Sequence, residues 1–452
     1  MMYFQSLTRR RGIGANSYLL DLDGARIVFD AGMDPKAEAL ESTPNYDLLP
    51  YDSVDGIIVS HCHLDHVGSL PVLMRQQPRA RAYMTEPCGE LSEAMLHNSV
   101  NVMTMKRDDL EIRDYPLFTH REIDQVQHVW EYVPTEKTFR VGDDVEVDCR
   151  FYDAGHIMGS VGTMITHNDK RIFYTGDVNF EDQTLSVGAQ FPRDPVDVLI
   201  METTRGAVQR DEAYTRDREI KRMAEAICGT LEREGSVMIP IFAMGKTQEV
   251  LMALHLLKKE DLIPSAAIFI GGLSTKMTMI YDRFMDKVAR NHRGFEILKQ
   301  MELTVASRRR KRDIRYNPHC IYALSSGMMS EKTVSNKFAF EFLDNPRNSL
   351  IFVGYADPDS PAGKIRAAKK GDPIQLDPDR APIELHCDVH EFDFSGHAIR
   401  EDLRQFANDV SPKKIALVHG DDDAFEWFEQ TLGQDLPESE IILIGPEDRF
   451  EI

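Results

Sequence analysis

Three histidines and an aspartate fall within six residues in Ser60-His61-Cys62-His63-Leu64-Asp65-His66. Imidazole nitrogens and carboxylate oxygens are the ligands that zinc takes. In an extended loop, residues i and i+2 face the same way, so His61 and His63 would grip one ion. Asp65 and His66, where a helix is expected to begin, would reach a second. Cys62 falls on the opposite face and is expected to be structural. A lone histidine would be read as a satisfied polar residue; it is the H-x-H-x-D-H spacing that points to metal. More ligand types end apolar runs elsewhere: His156 in Ala154-Gly155-His156, Asp177 in Thr175-Gly176-Asp177, and His419 in Leu417-Val418-His419-Gly420. Each alone could be a turn residue. With the cluster they make a set that suits two adjacent ions, with Asp177 as the bridge because one carboxylate has an oxygen for each. Asp30, ending its own strand, is expected to orient ligands from behind. Two ions about 3.5–4 Å apart activate a water and stabilise in-line displacement at phosphorus.

Positioning these residues takes strands with functional loops at their ends. Apolar alternation predicts strands over 16–23 and 25–29, around the turn at Gly24, and over 55–60 and 80–84. Further strands are expected over 139–153, 160–175 and 196–201. Helices are expected over 64–76, 86–107 and 119–129. From Arg216 onward the pattern changes to helices alternating with short apolar strands: 216–234 helix, 236–241 strand, 245–259 helix, 266–270 strand. That alternation predicts a parallel α/β sheet and a separate unit. The tail from Glu384 returns to short strands and a helix, with histidines again at strand ends.

A chain of 452 residues is too long for one ordinary domain. The formal net charge of −21 argues against a surface coated for nucleic acid, without excluding a local basic groove. The six cysteines form no C-x-x-C pair, which predicts no disulfide framework and a cytoplasmic protein. No long apolar run predicts a transmembrane helix, and residues 1–11 lack the apolar core of a secretory signal.

The cluster and the residues around it resemble the metallo-β-lactamase superfamily. Met201-Glu202-Thr203-Thr204, Phe394-Ser395-Gly396-His397-Ala398 and Leu417-Val418-His419-Gly420 resemble motifs A, B and C of its β-CASP branch. Similarity is greatest to the group of the endonuclease subunit of the eukaryotic cleavage and polyadenylation factor and its bacterial and archaeal relatives. The resemblance implies a metallo-β-lactamase αββα sandwich with an inserted α/β β-CASP domain. The lactamase fold would comprise residues 1–203 and 385–452, and the insert 204–384. It further implies two zinc ions. His61, His63, His156 and Asp177 would hold one, and Asp65, His66, Asp177 and His419 the other. His397 would be the general acid, supported by Glu202, with Asp65 also in the catalytic set. Histidine at the third motif points to RNA rather than DNA. The implied activity is an endoribonuclease, a 5′-exoribonuclease or both, and the implied partner is single-stranded RNA in a cleft between the domains. A homodimer or a protein partner is also compatible.

Some positions depart from the family pattern, and all of them concern substrate. Lys246 stands where relatives often have arginine. Ser325-Ser326-Gly327-Met328-Met329 runs into Ser330-Glu331 instead of paired glycines, and Asp357 and Asp359 add acids after Gly354-Tyr355. Lys246 and Ser326 are candidate substrate contacts. So are Arg308, Arg309 and Arg310 in the basic run Ser307–Arg315, which would either gather an RNA backbone or be a solvated surface stretch. The alternative to a ribonuclease is a dinuclear hydrolase of a small-molecule or other phosphoester.

Overall fold

The computed structural model describes residues 2–142, 145–305 and 314–452. The chain forms two compact units. One comprises Met1–Glu181, Gly188–Arg210 and His397–Ile452; the other comprises Asp182–Val187 and Asp211–Gly396.

The first unit is built on two seven-stranded sheets. The first sheet runs in the order Arg449–Glu451, Met2–Ser6, Tyr18–Leu22, Ala25–Phe29, Gly56–Ile58, Arg81–Met84, Trp130–Tyr132. The second runs Glu440–Leu443, Lys414–Val418, Val198–Glu202, Lys170–Tyr174, Val161–His167, Val147–Asp153, Thr138–Val141. Phe4, Leu20, Ile27 and Phe29 of the first sheet share a core with Phe151, Ile165, Ile172 and Ile200 of the second. The strand Val198–Glu202 shows why it reads as a continuous apolar run. Val198 and Ile200 face the other sheet, while Leu199 and Met201 pack on Leu403, Phe406, Phe425 and Phe428 of the helices Arg400–Val410 and Asp422–Asp435. Helix Glu86–Leu110 lies against the strand Trp130–Tyr132 of the first sheet. The layers are helix, sheet, sheet, helix.

The second unit has a six-stranded sheet in the order Leu303–Val305, Ala267–Gly271, Cys320–Leu324, Val237–Pro240, Ser349–Phe352, Asp388–Glu391, with every pair parallel. Helices Arg216–Glu232, Lys246–Lys259 and Leu273–Arg283 alternate with these strands.

Three expected elements are subdivided. The helix over 64–76 is two, Leu64–Val67 and Leu70–Gln76, with Pro71 in the first turn of the second. The run over 160–175 is a hairpin whose turn, Asn168-Asp169, has φ of 48° and 62°. Left-handed values at both positions match the twist of paired strands, and Asn and Asp tolerate them best after glycine. The run over 139–153 is likewise two antiparallel strands. The basic residues Arg308, Arg309 and Arg310 lie outside the described residues. Among the described residues, Cys62, Cys88, Cys149, Cys228, Cys320 and Cys387 are free thiols. Among the described residues, no helix is long and apolar enough to cross a membrane.

Candidate metal centre

Every residue of this site belongs to the first unit. The cluster loop leaves the strand Gly56–Ile58, and Asp177 follows the strand Lys170–Tyr174. Glu202 ends Val198–Glu202, and His419 follows Lys414–Val418. Because Lys170–Tyr174, Val198–Glu202 and Lys414–Val418 are neighbours and parallel, their carboxyl ends bring Asp177, Glu202 and His419 to one edge. Asp30 and His419 take left-handed φ of 59° and 54° as their strands end. Asp and His are among the residues that accept this conformation most readily.

Close approach requires glycine beside the ligands, at Gly32 and Gly176 among others. A Cβ on Gly32 would lie 1.9 Å from the Asp65 carbonyl oxygen, and one on Gly176 would lie 2.8 Å from Ser60 Cβ. Gly176 also has φ of 53°, so it turns the chain and lets Asp177 sit beside the cluster.

His63 Nδ1 lies 3.1 Å from both His61 Nε2 and His156 Nε2. The three rings are mutually near-perpendicular, at 83°, 82° and 79°. Three nitrogens on a tetrahedral zinc with bonds of 2.0–2.1 Å stand about 3.3 Å apart, close to this spacing. Burial pushes the His61 imidazole well below its usual pKa, and the neighbouring histidines His66, His63, His156 and His419 add to the effect. A neutral ring with a lone pair directed inward is the form that ligates.

A second group faces the first across Asp177. His66 Nε2 lies 3.4 Å from His419 Nε2, and His419 Nε2 lies 3.3 Å from Asp65 Oδ2. Asp177 Oδ2 faces His61 Nε2 at 3.5 Å and His156 Nε2 at 3.7 Å. Its Oδ1 faces His66 Nε2 at 3.4 Å and His419 Nδ1 at 3.3 Å. That Oδ1 is buried and has no hydrogen-bond partner. An orphaned carboxylate oxygen is costly in a protein interior unless a cation satisfies it. The donor set therefore fits divalent metal. His61, His63, His156 and Asp177 form one group that could hold an ion, and Asp65, His66 and His419 another.

Behind the cluster, Asp30 is fully buried. Its Oδ1 accepts from the Ser60 N–H at 2.7 Å. Its Oδ2 accepts from Ser60 Oγ at 2.8 Å, Tyr174 OH at 2.6 Å and His66 Nδ1 at 2.8 Å. With Nδ1–H donating to Asp30, His66 presents Nε2 to the site. Ser60, Tyr174 and Asn16 were not singled out from the sequence. Asn16 Nδ2 donates to the Asp65 carbonyl at 3.1 Å and lies 3.3 Å from His66 Nε2. Thr204 Oγ1 meets His419 Nδ1 at 2.9 Å. Ser60 directly precedes the cluster and Thr204 lies in the first β-CASP-like motif, so proximity was the available signal. Tyr174 and Asn16 carried none. Cys62 is buried, burial pushes its thiol well up, and it joins neither ligand group.

His397 Nδ1 is 3.2 Å from Glu202 Oε2 and 4.0 Å from Asp177 Oδ2. Its side chain is 23% exposed against 1% for Glu202, so the imidazole stands between the buried carboxylate and solvent. Burial lowers the His397 pKa, but the Glu202 charge and hydrogen bond outweigh it, and the net direction is up. For Glu202 burial raises the pKa, His397 opposes it, and the net direction is down. Glu202 Oε1 also accepts from the Val178 N–H at 2.6 Å, which holds it in place.

Of the candidate substrate contacts, Lys246 and Ser326 belong to the second unit. Lys246 Nζ donates to the Phe394 carbonyl. Ser326 Oγ accepts from the Ser330 N–H at 3.3 Å. Asp357 is buried, and its Oδ1 accepts from the Asp359 N–H at 2.9 Å, so this acid turns back into its own loop.

Three family models match the chain. The metallo-beta-lactamase superfamily matches residues 10–221, the Beta-Casp domain 247–365, and the Zn-dependent metallo-hydrolase RNA specificity domain 382–442. The chain belongs to the β-CASP branch of the metallo-β-lactamase superfamily. That assigns it to a superfamily of metal-dependent hydrolases. Among this β-CASP chain's relatives is cleavage and polyadenylation specificity factor subunit 3 of Dictyostelium discoideum, 26% identical over 93% of this chain and 53% of the relative. Transcription termination factor FttA of Methanothermobacter thermautotrophicus is 27% identical over 91% of this chain and 66% of its own. Endoribonuclease YSH1 of Yarrowia lipolytica is 26% identical over 92% and 50%. The chain thus spans about half to two thirds of the length of these relatives. The crystal structure of a protein of unknown function from Enterococcus faecalis V583 matches with a TM-score of 0.60 and 12% identity, covering 100% of both chains, and shows a shared fold.

Proposed function

We propose that this chain is a phosphodiesterase of single-stranded RNA that works with two zinc ions. The observation that carries the reading is Asp177, with one oxygen toward each histidine group and one of those oxygens buried without a hydrogen bond. His61, His63, His156 and Asp177 would hold one ion, and Asp65, His66, Asp177 and His419 the other. Two such ions, when bound, would supply a hydrolytic nucleophile at neutral pH and offset charge on the phosphoryl oxygens.

The chain's own residues do the rest. Asp30 and Thr204 hold the rings of His66 and His419 so that each turns a nitrogen inward. Glu202 favours the imidazolium form of His397, and His397 donates its proton to the leaving oxygen of the cleaved bond. An alkoxide is a poor leaving group, so this proton is needed as the phosphorus–oxygen bond breaks. Support for RNA as the substrate comes from the match to an RNA specificity domain and from relatives named as an endoribonuclease and a cleavage and polyadenylation factor subunit.

The test is cleavage of an end-labelled single-stranded RNA by zinc-loaded protein, with Asp65→Ala as control. Metal-dependent products that vanish in the variant are expected, and their ladder separates internal cutting from trimming at the 5′ end. A wild-type protein that holds two ions yet cleaves no RNA overturns the reading in favour of another phosphoester.

A further inference from the structure

The parallel sheet of the second unit has a switch point. The chain leaves Val237–Pro240 for Ala267–Gly271 on one side, and leaves Cys320–Leu324 for Ser349–Phe352 on the other. In open parallel sheets, ligands sit beyond the carboxyl ends of the strands at such a point. Three loops emerge there, after Pro240, Leu324 and Phe352.

The loops are tied to one another. A Cβ on Gly327 would stand 3.1 Å from Phe242, so the second loop lies directly on the first. Met328 Sδ accepts from the Asp357 N–H at 3.3 Å, and the Met328 carbonyl accepts from the Ala362 N–H at 3.2 Å, which binds the second loop to the third. Thr247 Oγ1 donates to the Phe242 carbonyl at 2.7 Å. Within this packed arrangement Ile241, Val353 and Ala356 are buried. Phe242 and Tyr355 are not, at 38% and 63% exposed.

Register brings the two loops out side by side. Val237 pairs with Ser349 and Met238 with Leu350, and these neighbouring parallel strands end at Pro240 and Phe352. Phe242 follows two residues later on its loop and Tyr355 three residues later on its own. Paired strands are about 4.8 Å apart. Next to Tyr355, a Cβ on Gly354 would meet nothing within 4 Å, so space is open there. Ser326 and Ser330 follow Leu324 on the second loop, Lys246 follows the first, and Tyr355 OH lies 3.5 Å from Asp357 Oδ2 on the third, so the loops that carry the aromatic rings also carry polar groups. Apolar faces with polar edges match the chemistry of a nucleobase.

We infer that Phe242 and Tyr355 form a base-stacking platform for single-stranded RNA at the carboxyl edge of this sheet. The inference rests on the RNA reading above and deepens it. Stacking on an aromatic ring is indifferent to base identity, because every base has a π-face. The platform would therefore add affinity without sequence preference, and it would distinguish RNA from a phosphodiester that lacks bases.

The test uses the full chain carrying Asp65→Ala, so that RNA is not consumed. Affinity is read by fluorescence anisotropy with a short fluorescein-labelled single-stranded RNA, and with an abasic ribose-phosphate oligomer of the same length. Phe242→Ala and Tyr355→Ala are each expected to weaken RNA binding about tenfold. The abasic oligomer should bind more weakly than RNA and respond to neither substitution. Phe242→Tyr and Tyr355→Phe, which keep the rings, should bind RNA as the parent does, whereas Phe242→Leu should not. Alanine variants that bind RNA as tightly as the parent overturn the platform. So does an equal loss for both oligomers, which would mark a general loop distortion. A parent that binds neither oligomer overturns the RNA reading itself.

Discussion

At the candidate metal centre, His61, His66, His156, Asp177 and His419 are buried, and partners from distant parts of the chain hold several of them. At the carboxyl edge of the second unit's sheet, Phe242 and Tyr355 stand exposed on loops held mainly by one another. The first arrangement suits a ligand that must be held at fixed distances. The second suits a ligand that varies in sequence and has to leave. A change at the centre should therefore act on metal and rate, and a change at the edge on affinity.

The largest effect should come from breaking the ligand groups. His63→Ala or Asp177→Ala is expected to lose bound metal and to bring RNA cleavage down to background, measured by plasma mass spectrometry and end-labelled RNA. His397→Ala is expected to keep its metal while kcat falls by about 10²–10⁴, because only proton donation is removed. Full activity in that variant would contradict the role given to the imidazole. Asp30→Asn is a subtler change, since an amide N–H₂ must face groups that donate to the carboxylate. Metal affinity should fall about 10–100-fold, read by competition with a chelating dye. Tyr174→Phe removes one of those donors and should lower stability by about 1 kcal/mol in a denaturant titration. If it instead abolished metal binding, the support of the centre would be concentrated in one contact rather than shared.

The same contrast governs what could be read from the sequence. The cluster from His61 to His66 was legible because its spacing is local. His156, Asp177 and His419 were legible only as ligand types at strand ends, and the parallel pairing of three strands is what gathers Asp177, Glu202 and His419. Tyr174 reaches Asp30 across 144 positions, and no local pattern announces such a contact. The separate strands and helices followed from apolar runs and the layered sandwich from the family resemblance, but the pairing of Met2–Ser6 with Arg449–Glu451 followed from neither, because a strand does not name its partner. The Asn168-Asp169 turn was present as a signal and was absorbed into a longer apolar run. The residues expected to touch substrate were the least legible. Exposure of Phe242 and burial of Asp357 are decided by loop packing, which composition does not reveal.

Zinc K-edge X-ray absorption on the metal-loaded protein tests the central claim most directly. A shared Asp177 predicts nitrogen and oxygen neighbours at about 2.0–2.2 Å and a second metal at about 3.5–4 Å. An isolated zinc with no metal neighbour would contradict the account, as would sulfur at about 2.3 Å from Cys62.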